Sequence, residues 1–326
     1  MKMRKLLWGT LALVVVFAAV TAFAYTPDRT LLSLTGRWAA SPSQFVLING
    51  VNLHLRDQGP REDPIPIILL HGTSASLHTW EGWVTKLAKT RRVISFDLPA
   101  FGLTGPAPDA DYRIARYVDH VLALLNHFRI ERAILVGNSL GGEIAWNAAV
   151  RDPTRVAALV LIDAAGYPFQ PKSIPLGFRL ALNPVLAPVM TWLTPRRVVA
   201  ASVRDTYGDP DRVTPETIDR YYELTLRAGN RGALIQRFRQ MQHGTDAAAI
   251  ASIKLPTLII WGGRDQLIPP ENARRFAQEI ANSELVIFDD LGHIPQEEDP
   301  AQTVAAALKF LESPACAGCA GAVRNQ

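Results

Sequence analysis

Short and almost uninterrupted runs of valine, isoleucine and leucine recur along this chain, separated by segments of helical period. Six such runs predict β-strands at Ile65–Leu70, Arg92–Asp97, Ala133–Gly137, Val156–Asp163, Thr257–Trp261 and Leu285–Phe288. Continuous apolar runs are typical of strands that are covered on both faces. Helical spacing marks intervening segments such as Tyr112–Phe128 and Glu143–Val150. The alternation predicts an α/β fold with a doubly wound, mostly parallel sheet.

Two intervals depart from that rhythm. Apolar and polar residues alternate from Gln44 to Asp57, on both sides of Asn49-Gly50. Because Asn-Gly tolerates the positive φ angles of a tight turn, we predict an N-terminal β-hairpin there.

The second interval, 166–245, contains many prolines and apolar helical pieces but no buried-strand run. An insertion of this kind predicts a helical cap over the carboxyl edge of the sheet, where ligands bind in such folds.

These patterns divide the chain into successive parts. We predict a membrane anchor or signal peptide at 1–25, a connector at 26–43, the first part of the core at 44–165, the helical cap at 166–245, the second part of the core at 246–313 and a flexible tail at 314–326. The core is therefore expected to be one domain that is assembled from two stretches of sequence.

The N-terminus has the composition of a segment that enters a membrane. Lys2, Arg4 and Lys5 precede an uncharged apolar stretch, Leu6–Tyr25, which is typical of a secretory signal or of one membrane-spanning helix. A small-residue cleavage site after Ala24 fits a signal, whereas the apolar stretch is longer than a usual signal core. We favour an uncleaved membrane anchor with the remaining chain outside the cytoplasm. Cleavage would instead give a secreted or periplasmic protein.

Composition and charge exclude several other classes of protein. Apolar residues make up 48% and charged residues 20% of the chain, which is ordinary for a globular domain and argues against disorder. The net charge of +4 comes from scattered arginines rather than from a basic patch, so no nucleic-acid partner is expected. The histidine, cysteine and carboxylate residues have no metal-ligand spacing, and no phosphate-binding glycine loop occurs. We therefore expect neither a metal nor a cofactor.

The two cysteines, Cys316 and Cys319, form a C-x-x-C pair in the small-residue tail. Such a pair can be redox-active or can form half of a zinc site. No second cysteine pair, neighbouring histidine or preceding strand accompanies it. A local disulfide or two free thiols is therefore the prediction.

The clearest chemical signal is the run Gly-Asn-Ser-Leu-Gly around Ser139, between the third predicted strand and a helix. This strand–turn–helix context is the one that a nucleophile elbow requires. Gly137 and Gly141 remove side chains that would clash across the sharp turn, and the helix start favours negative charge near the serine. We therefore predict Ser139 as a nucleophile.

A serine nucleophile needs a base, and the base needs a carboxylate. Of the chain's 7 histidines, His293 stands in a Gly-His-Ile-Pro turn after the last predicted strand, at the edge where Ser139 emerges. Asp265 follows the preceding strand, in Trp-Gly-Gly-Arg-Asp, and is our candidate for the acid. Asp163, at the end of an earlier strand, is the alternative acid.

The oxyanion that forms when a serine attacks a carbonyl requires preplaced donors. The backbone N–H of Leu140, directly after the nucleophile, is one candidate. The loop His71-Gly72-Thr73-Ser74, after the first predicted strand, supplies the other, and Thr73 is our choice. We interpret His71 as a structural residue that shapes this loop rather than as a second base.

Five segments together resemble the successive signatures of the α/β-hydrolase family: LLHGTSAS, FDLPAFGLTGP, ILVGNSLGGEIAW, LIIWGGRD and LGHIPQEEDP. The resemblance covers Gln44 to Leu311 and is weakest in the cap. It implies the α/β-hydrolase fold and a triad in the chain order Ser139, Asp265, His293. The serine disfavours members that use aspartate as nucleophile, the haloalkane dehalogenases and epoxide hydrolases.

Within that family we expect a carboxylic-ester hydrolase, esterase- or lipase-like, that forms an acyl-enzyme on Ser139. Its partner would be a small-molecule ester with an apolar acyl group. Apolar cap residues suggest the acyl pocket: Phe169, Leu176, Phe178, Leu180, Leu186, Met190, Trp192 and Leu193.

Two alternatives stay open. The GNSLGG sequence is similar to that of meta-cleavage carbon–carbon hydrolases, but the Gly-Pro-Gly-like stretch usual in those enzymes is replaced here by Thr-Ser-Ala-Ser. Carbon–carbon hydrolysis is therefore the alternative to ester hydrolysis. A non-catalytic binding protein of the same fold is disfavoured, because every predicted triad position holds a competent residue.

Overall fold

The computed structural model describes Trp8, residues 25–242 and residues 244–319. Its strands are β1 (Gln44–Ile48), β2 (Val51–Gln58), β3 (Ile67–Leu70), β4 (Val93–Phe96), β5 (Ala133–Asn138), β6 (Val156–Ile162), β7 (Thr257–Gly262) and β8 (Ser283–Phe288). Within the described residues they form one eight-stranded sheet in the order β1-β2-β4-β3-β5-β6-β7-β8. β2 pairs antiparallel with β1 and β4, and the remaining neighbours pair parallel. The predicted mostly parallel sheet is confirmed.

Helices cover both faces of the sheet and also build the cap. They are α1 (Leu31–Trp38), α2 (Glu81–Leu87), α3 (Ile114–His127), α4 (Leu140–Arg151), α5 (Leu176–Leu182), α6 (Ala187–Met190), α7 (Arg196–Arg204), α8 (Pro215–Thr225), α9 (Asn230–Arg239), α10 (Glu271–Glu279), α11 (Pro295–Glu298) and α12 (Pro300–Leu311). Buried side chains of α3, α4 and α10 pack on one face of the sheet. Those of α2 and α12 pack on the other face.

Strand β3 shows why the strand sequences are continuously apolar. All of its residues are buried. Because successive side chains of a strand point to opposite faces, Ile67 and Leu69 pack under α2 and α12. Ile68 and Leu70 pack under α3 and α4. A strand covered on both faces has no position at which a polar side chain would reach water.

The predicted N-terminal hairpin is confirmed, with its turn between β1 and β2. Asn49 and Gly50 have φ values of 51° and 80°, the positive values that a two-residue hairpin turn requires. Leu53 and Leu55 on β2 are completely buried and attach the hairpin to the core.

The interval between β6 and β7 holds α5 to α9, and its described residues contribute no strand to the sheet. This insertion has a small apolar core of its own, formed by Ala200, Val203, Tyr207, Val213, Ile218 and Ile294. Ile294 belongs to the loop after β8. The core therefore joins the inserted helices to the carboxyl edge of the sheet.

Residues 26–43, which we predicted as a connector, contain the helix α1. Leu34 and Trp38 lie on its buried face and pack with Leu103 and Leu224. An eight-residue helix has too few turns for its period to be evident in the sequence. Packing between distant segments stabilises such a short helix.

The predicted flexible tail, 314–326, differs from the structure in its first part. Pro314–Cys319 is a 3₁₀-helical segment, and a disulfide joins Cys316 to Cys319. Both cysteines are completely buried in the apolar cluster beside α12, so this part of the chain is packed rather than free. The disulfide is one of the two states that we predicted for the pair. Residues 320–326 lie outside the described residues.

Our prediction of a membrane-anchored or exported protein is corrected. A membrane-crossing helix needs about 20 predominantly apolar residues, and the described part of the chain has no helix that is long and apolar enough. The segment on which the prediction depended, 1–25, lies outside the described residues except for Trp8 and Tyr25.

Candidate active site

Ser139 lies at a sharp backbone turn where β5 passes into α4. Its φ of 53° and ψ of −115° are sparsely populated for a residue other than glycine. Such strain is typical of a nucleophile elbow. The N–H of Ser139 donates to the Ile162 carbonyl at 3.0 Å, and its own carbonyl accepts from the Glu143 N–H at 3.0 Å. These bonds fix the turn and leave the half-buried serine side chain at the edge of the sheet.

Two glycines permit the close backbone packing at this turn. A Cβ atom on Gly137 would overlap the Gly141 carbonyl, and a Cβ atom on Gly141 would overlap the Leu70 carbonyl at the end of β3. The glycines of the motif are therefore required by contact between β5, β3 and the start of α4.

His293 and Asp265 lie next to each other, on the loops after β8 and β7. The His293 Nδ1 and Asp265 Oδ2 atoms are 2.7 Å apart. The second oxygen of Asp265, Oδ1, accepts hydrogen bonds from the Leu267 and Ile268 N–H groups at 2.8 and 3.0 Å. These donors fix the carboxylate, and the carboxylate orients the imidazole. Nε2 is then the nitrogen that can take a proton from a nucleophile.

Asp163, the alternative acid, lies in the same cluster. One oxygen from each carboxyl group and one ring nitrogen of His293 lie within 4.8 Å of one another, close enough to ligate a metal ion. The Asp163 Oδ1 accepts from the Gly262 N–H at 3.0 Å. Burial, reinforced by the neighbouring Asp265, raises the pKa of Asp163 well above its ordinary value. The hydrogen bond to Nδ1 thus favours Asp265 as the partner of the imidazole.

Ser139 and His293 line one cavity between the sheet edge and the inserted helices. Among the described residues, no hydrogen bond joins the serine hydroxyl to the imidazole. Hydrolases without substrate often lack this bond and complete it in the substrate complex. The assignment of Ser139, Asp265 and His293 as a catalytic triad stays a prediction that this geometry supports.

The two predicted oxyanion donors lie beside the serine. Leu140 is the first residue of α4, and the first N–H groups of a helix have no partner within it. Thr73 lines the cavity. A Cβ atom on the neighbouring Gly72 would lie 3.2 Å from the Ser139 Cβ, so this loop passes the serine at van der Waals distance. The role of both N–H groups as oxyanion donors stays a prediction.

His71 shapes the same loop through both of its ring nitrogens. Nε2 accepts from the Leu98 N–H at 2.9 Å, so Nδ1 carries the proton and donates it to the Gly72 carbonyl at 2.7 Å. Burial lowers the pKa of His71 and keeps it neutral. Because both nitrogens are engaged, His71 has no free nitrogen with which to act as a base.

Sequence reasoning missed a carboxylate that holds the His293 loop. Glu298 follows His293 in an acidic run that resembles an exposed helix start, but the structure buries it. It accepts from the Gly292 N–H at 2.8 Å and from the Gly208 and Asp209 N–H groups at 2.9 and 2.8 Å. Glu298 therefore ties the loop of the candidate base to the inserted helices. Its closeness to His293 in sequence was the one signal available.

The wall of the cavity is mainly apolar. It contains Phe178, Ala181, Met190, Val198, Val199, Val203, Leu234, Ile235, Leu267 and Ile294. Of the cap residues proposed from the sequence, Phe178 and Met190 lie in this wall, whereas Leu186 and Trp192 are exposed. Arg231 adds a cationic side chain to the wall.

Comparison with known proteins agrees with this architecture. A family model described as alpha/beta hydrolase fold matches residues 65–300. A 2-hydroxymuconate semialdehyde hydrolase of Pseudomonas sp. (strain CF600) is 32% identical over 276 residues, which cover 82% of this chain and 92% of the relative.

Two solved structures have a similar fold. A meta-cleavage product hydrolase from Pseudomonas fluorescens IP01 has a TM-score of 0.72 and 25% identity, covering 82% of this chain and 97% of its own. A membrane phospholipase A, described as a bacterial virulence factor, has a TM-score of 0.72 and 23% identity, covering 94% and 98%. At that lower identity the second likeness shows the fold alone, and one fold hosts many activities.

The relatives correct our expectation of a carboxylic-ester hydrolase. The 32% identical relative and the Pseudomonas fluorescens hydrolase carry names that match our alternative, carbon–carbon hydrolysis of meta-cleavage products. The motifs do not distinguish the two reactions, because a serine attacks a carbonyl in both, and the Thr-Ser-Ala-Ser loop is a weak reason to prefer ester hydrolysis. The fold, the elbow and the family match lead to one conclusion: this chain belongs to the α/β-hydrolase family and is a hydrolase.

Proposed function

We propose that this protein is a carbon–carbon bond hydrolase of the meta-cleavage type, which acts on a vinylogous diketone that bears a carboxylate. The observation that carries the proposal is the 32% identity to 2-hydroxymuconate semialdehyde hydrolase over 82% of the chain. The pairing of His293 with Asp265 at 2.7 Å, in the cavity that Ser139 lines, supports hydrolysis through a serine.

The chemistry begins on the keto tautomer of the dienol substrate, in which the enol proton has moved to the carbon of the bond that breaks, at the carbonyl next to that bond. His293 takes the proton of the Ser139 hydroxyl, whose oxygen attacks the carbonyl carbon, while the Leu140 and Thr73 N–H groups meet the oxyanion. When the tetrahedral intermediate collapses, the carbon–carbon bond breaks and its electron pair delocalises through the conjugated ketone of the leaving fragment. His293 returns its proton to that fragment. Water, activated by the same histidine, then releases the acyl group as a carboxylic acid.

Arg231 offers a partner for the substrate carboxylate. Its guanidinium is buried and its Nη2 pairs with Asp28 Oδ1 at 2.6 Å. Its Nε has no hydrogen-bond acceptor among the described residues. That nitrogen is shielded from the cavity, so it is the positive charge of a guanidinium in the cavity wall that would attract a carboxylate there.

Turnover of 2-hydroxymuconate semialdehyde by the purified protein tests the proposal. We expect the dienol absorbance to decay while one carboxylic acid and one enol fragment appear in equal amounts. Ser139→Ala should abolish this turnover, because removal of a serine nucleophile costs about 10⁴-fold or more. Ser33→Ala, on the exposed face of α1, is the matched control and should keep the wild-type rate.

Two outcomes would overturn the proposal. One is a wild-type protein that turns over carboxylic esters or phospholipids through Ser139 but leaves the dienoate intact. The other is dienoate turnover that survives in Ser139→Ala.

A further inference from the structure

Asp163 is a completely buried carboxyl group to which the proposed reaction assigns no role. It follows β6 with a φ of 43°, which is uncommon for a residue other than glycine. The Gly262 N–H donates to its Oδ1 at 3.0 Å. Its Oδ2 is buried without a hydrogen-bond partner among the described residues. Such an oxygen is costly as an acceptor alone, but it is satisfied if it carries a proton and donates it.

The neighbouring acceptor is Asp265: oxygens of the two carboxyl groups lie within 4.8 Å of each other, and, besides burial, a side-chain hydrogen bond between the two groups is one cause of the raised pKa of Asp163. Two adjacent buried carboxyl groups do not both stay ionised, and one of them keeps a proton. Asp265 receives three donors: the Leu267 and Ile268 N–H groups and the His293 Nδ1. Within the described part of the chain, Asp163 receives one, from the Gly262 N–H. The negative charge is therefore better placed on Asp265, and the proton on Asp163.

We propose that Asp163 is a positioning residue, a neutral carboxylic acid whose Oδ2 donates a hydrogen bond to the Asp265 carboxylate. The bond holds the carboxylate that orients His293, and Asp163 itself touches no reacting atom. Burial, followed by the charges of Asp265 and Glu298, raises the pKa of Asp163, in agreement with a retained proton. Among the described residues, His293 is the third titratable group of the cluster. The inference depends on the proposed roles of Asp265 and His293, and not on which substrate is cleaved.

A fluorophosphonate probe tests this role without the substrate, because it labels an activated serine directly. The rate of Ser139 labelling is measured across a pH range for the wild type, Asp163→Asn and Asp163→Ala. Asparagine keeps a neutral donor of the same shape, whereas alanine removes the donor. Asp119→Asn, at a partly exposed ion pair on α3, is the matched control for the aspartate-to-asparagine change.

We expect Asp163→Ala to slow labelling about tenfold, the effect of losing one hydrogen bond to a charged group. The acid limb of its labelling rate plotted against pH should move to higher pH, because an Asp265 carboxylate without this donor stabilises the imidazolium more strongly. Asp163→Asn should restore the rate to within about threefold of the wild type, with the acid limb in place. Asp119→Asn should match the wild type throughout.

An ionised Asp163 gives the opposite sign and would overturn the proposal. Asp163→Asn would then remove a negative charge beside His293, destabilise the imidazolium and move the acid limb to lower pH. Equal losses in both Asp163 variants, with unchanged pH profiles, would mean a merely structural residue and would also overturn it.

Infrared spectroscopy separates this inference from the proposed function. The wild-type minus Asp163→Asn difference spectrum should contain the carbonyl band of a protonated carboxylic acid. Absence of the band refutes a neutral Asp163. A wild type that shows the band but resists the probe would refute the proposed nucleophile instead.

Discussion

A buried carboxyl group on α4 should make the stability of this protein depend on pH near neutrality. Glu143 is only 7% exposed, and burial raises its pKa from the ordinary 4.5 to about 7. The Arg237 guanidinium, with Nη2 3.7 Å from the Glu143 Oε2, opposes this shift but does not outweigh burial. The folded protein therefore holds the proton more tightly than the unfolded chain does.

The sign and size of the effect follow from that difference. Below about pH 4.5 the carboxyl group is protonated in both states, and its contribution to stability is complete. As the pH rises from about 4.5 to about 7, the unfolded chain releases the proton first, so the free energy of unfolding falls. The difference between the two pKa values corresponds to about 3 kcal/mol, all of it lost above about pH 7.

Glu143→Gln should remove this dependence, because the amide has a similar shape and does not titrate. Urea unfolding between about pH 4.5 and pH 8 gives the free energy of unfolding of each protein. The wild-type value minus the Glu143→Gln value should fall by about 3 kcal/mol across that range. Glu131→Gln, at an exposed position, is the control, and its difference from the wild type should stay nearly flat. Parallel curves for the wild type and Glu143→Gln would refute the raised pKa.

Two further predictions concern packing. Gly141→Ala should lower the free energy of unfolding by about 3 kcal/mol, because the new methyl group would overlap the Leu70 carbonyl. Urea unfolding measures this loss, and a loss under about 1 kcal/mol would contradict the predicted overlap. Reduction of the Cys316–Cys319 disulfide should cost about 2 kcal/mol, the entropy expected for so short a loop. Urea unfolding of the wild type with and without reductant measures this cost. A variant with both cysteines replaced by alanine should not respond to reductant. Equal free energies of unfolding of the wild type in the two conditions would contradict the prediction.

The parts of the site that lie on one stretch of chain could be predicted from the sequence. At Ser139 the strand, the glycines and the helix start are adjacent in sequence, and each has a local steric or electrostatic reason. His293 and Asp265 could be brought together because parallel strands deliver the loops after them to one edge of the sheet. Their proximity therefore follows from the strand order alone, without knowledge of any other contact.

Contacts between distant segments could not be predicted. Glu298 accepts from the N–H of Gly208, 90 residues earlier in the chain, and no local pattern encodes that partner. Glu143 has the helix-start position that suits a carboxylate, but its surroundings include a segment distant in sequence, α9, whose Arg237 lies 3.7 Å from it. The sequence does not reveal the substrate, and the reason is chemical. Attack of a serine on a carbonyl opens both ester and carbon–carbon hydrolysis, so the elbow motif is the same in each.

A second histidine–aspartate pair shows that residue types and distances together do not define an active site. The His54 Nδ1 lies 2.7 Å from the Asp97 Oδ2, the separation also found between His293 and Asp265. The Ser43 Oγ lies 2.9 Å from the His54 Nε2. Ser43, His54 and Asp97 are thus hydrogen-bonded in the order of a catalytic triad, whereas at the candidate active site the described hydrogen bonds join only His293 and Asp265.

Access and competing hydrogen bonds distinguish the two arrangements. His54 and Asp97 are completely buried, and the Ser43 Oγ also accepts from the Arg56 Nε at 3.0 Å. That cationic donor draws electron density from the hydroxyl oxygen and weakens it as a nucleophile. Ser139, in contrast, lines the cavity under the inserted helices, where a carbonyl group can approach it. A nucleophile needs room for its substrate as well as a base, and the cavity makes Ser139 the candidate, while Ser43 connects the residue before β1 to β2 within the hairpin.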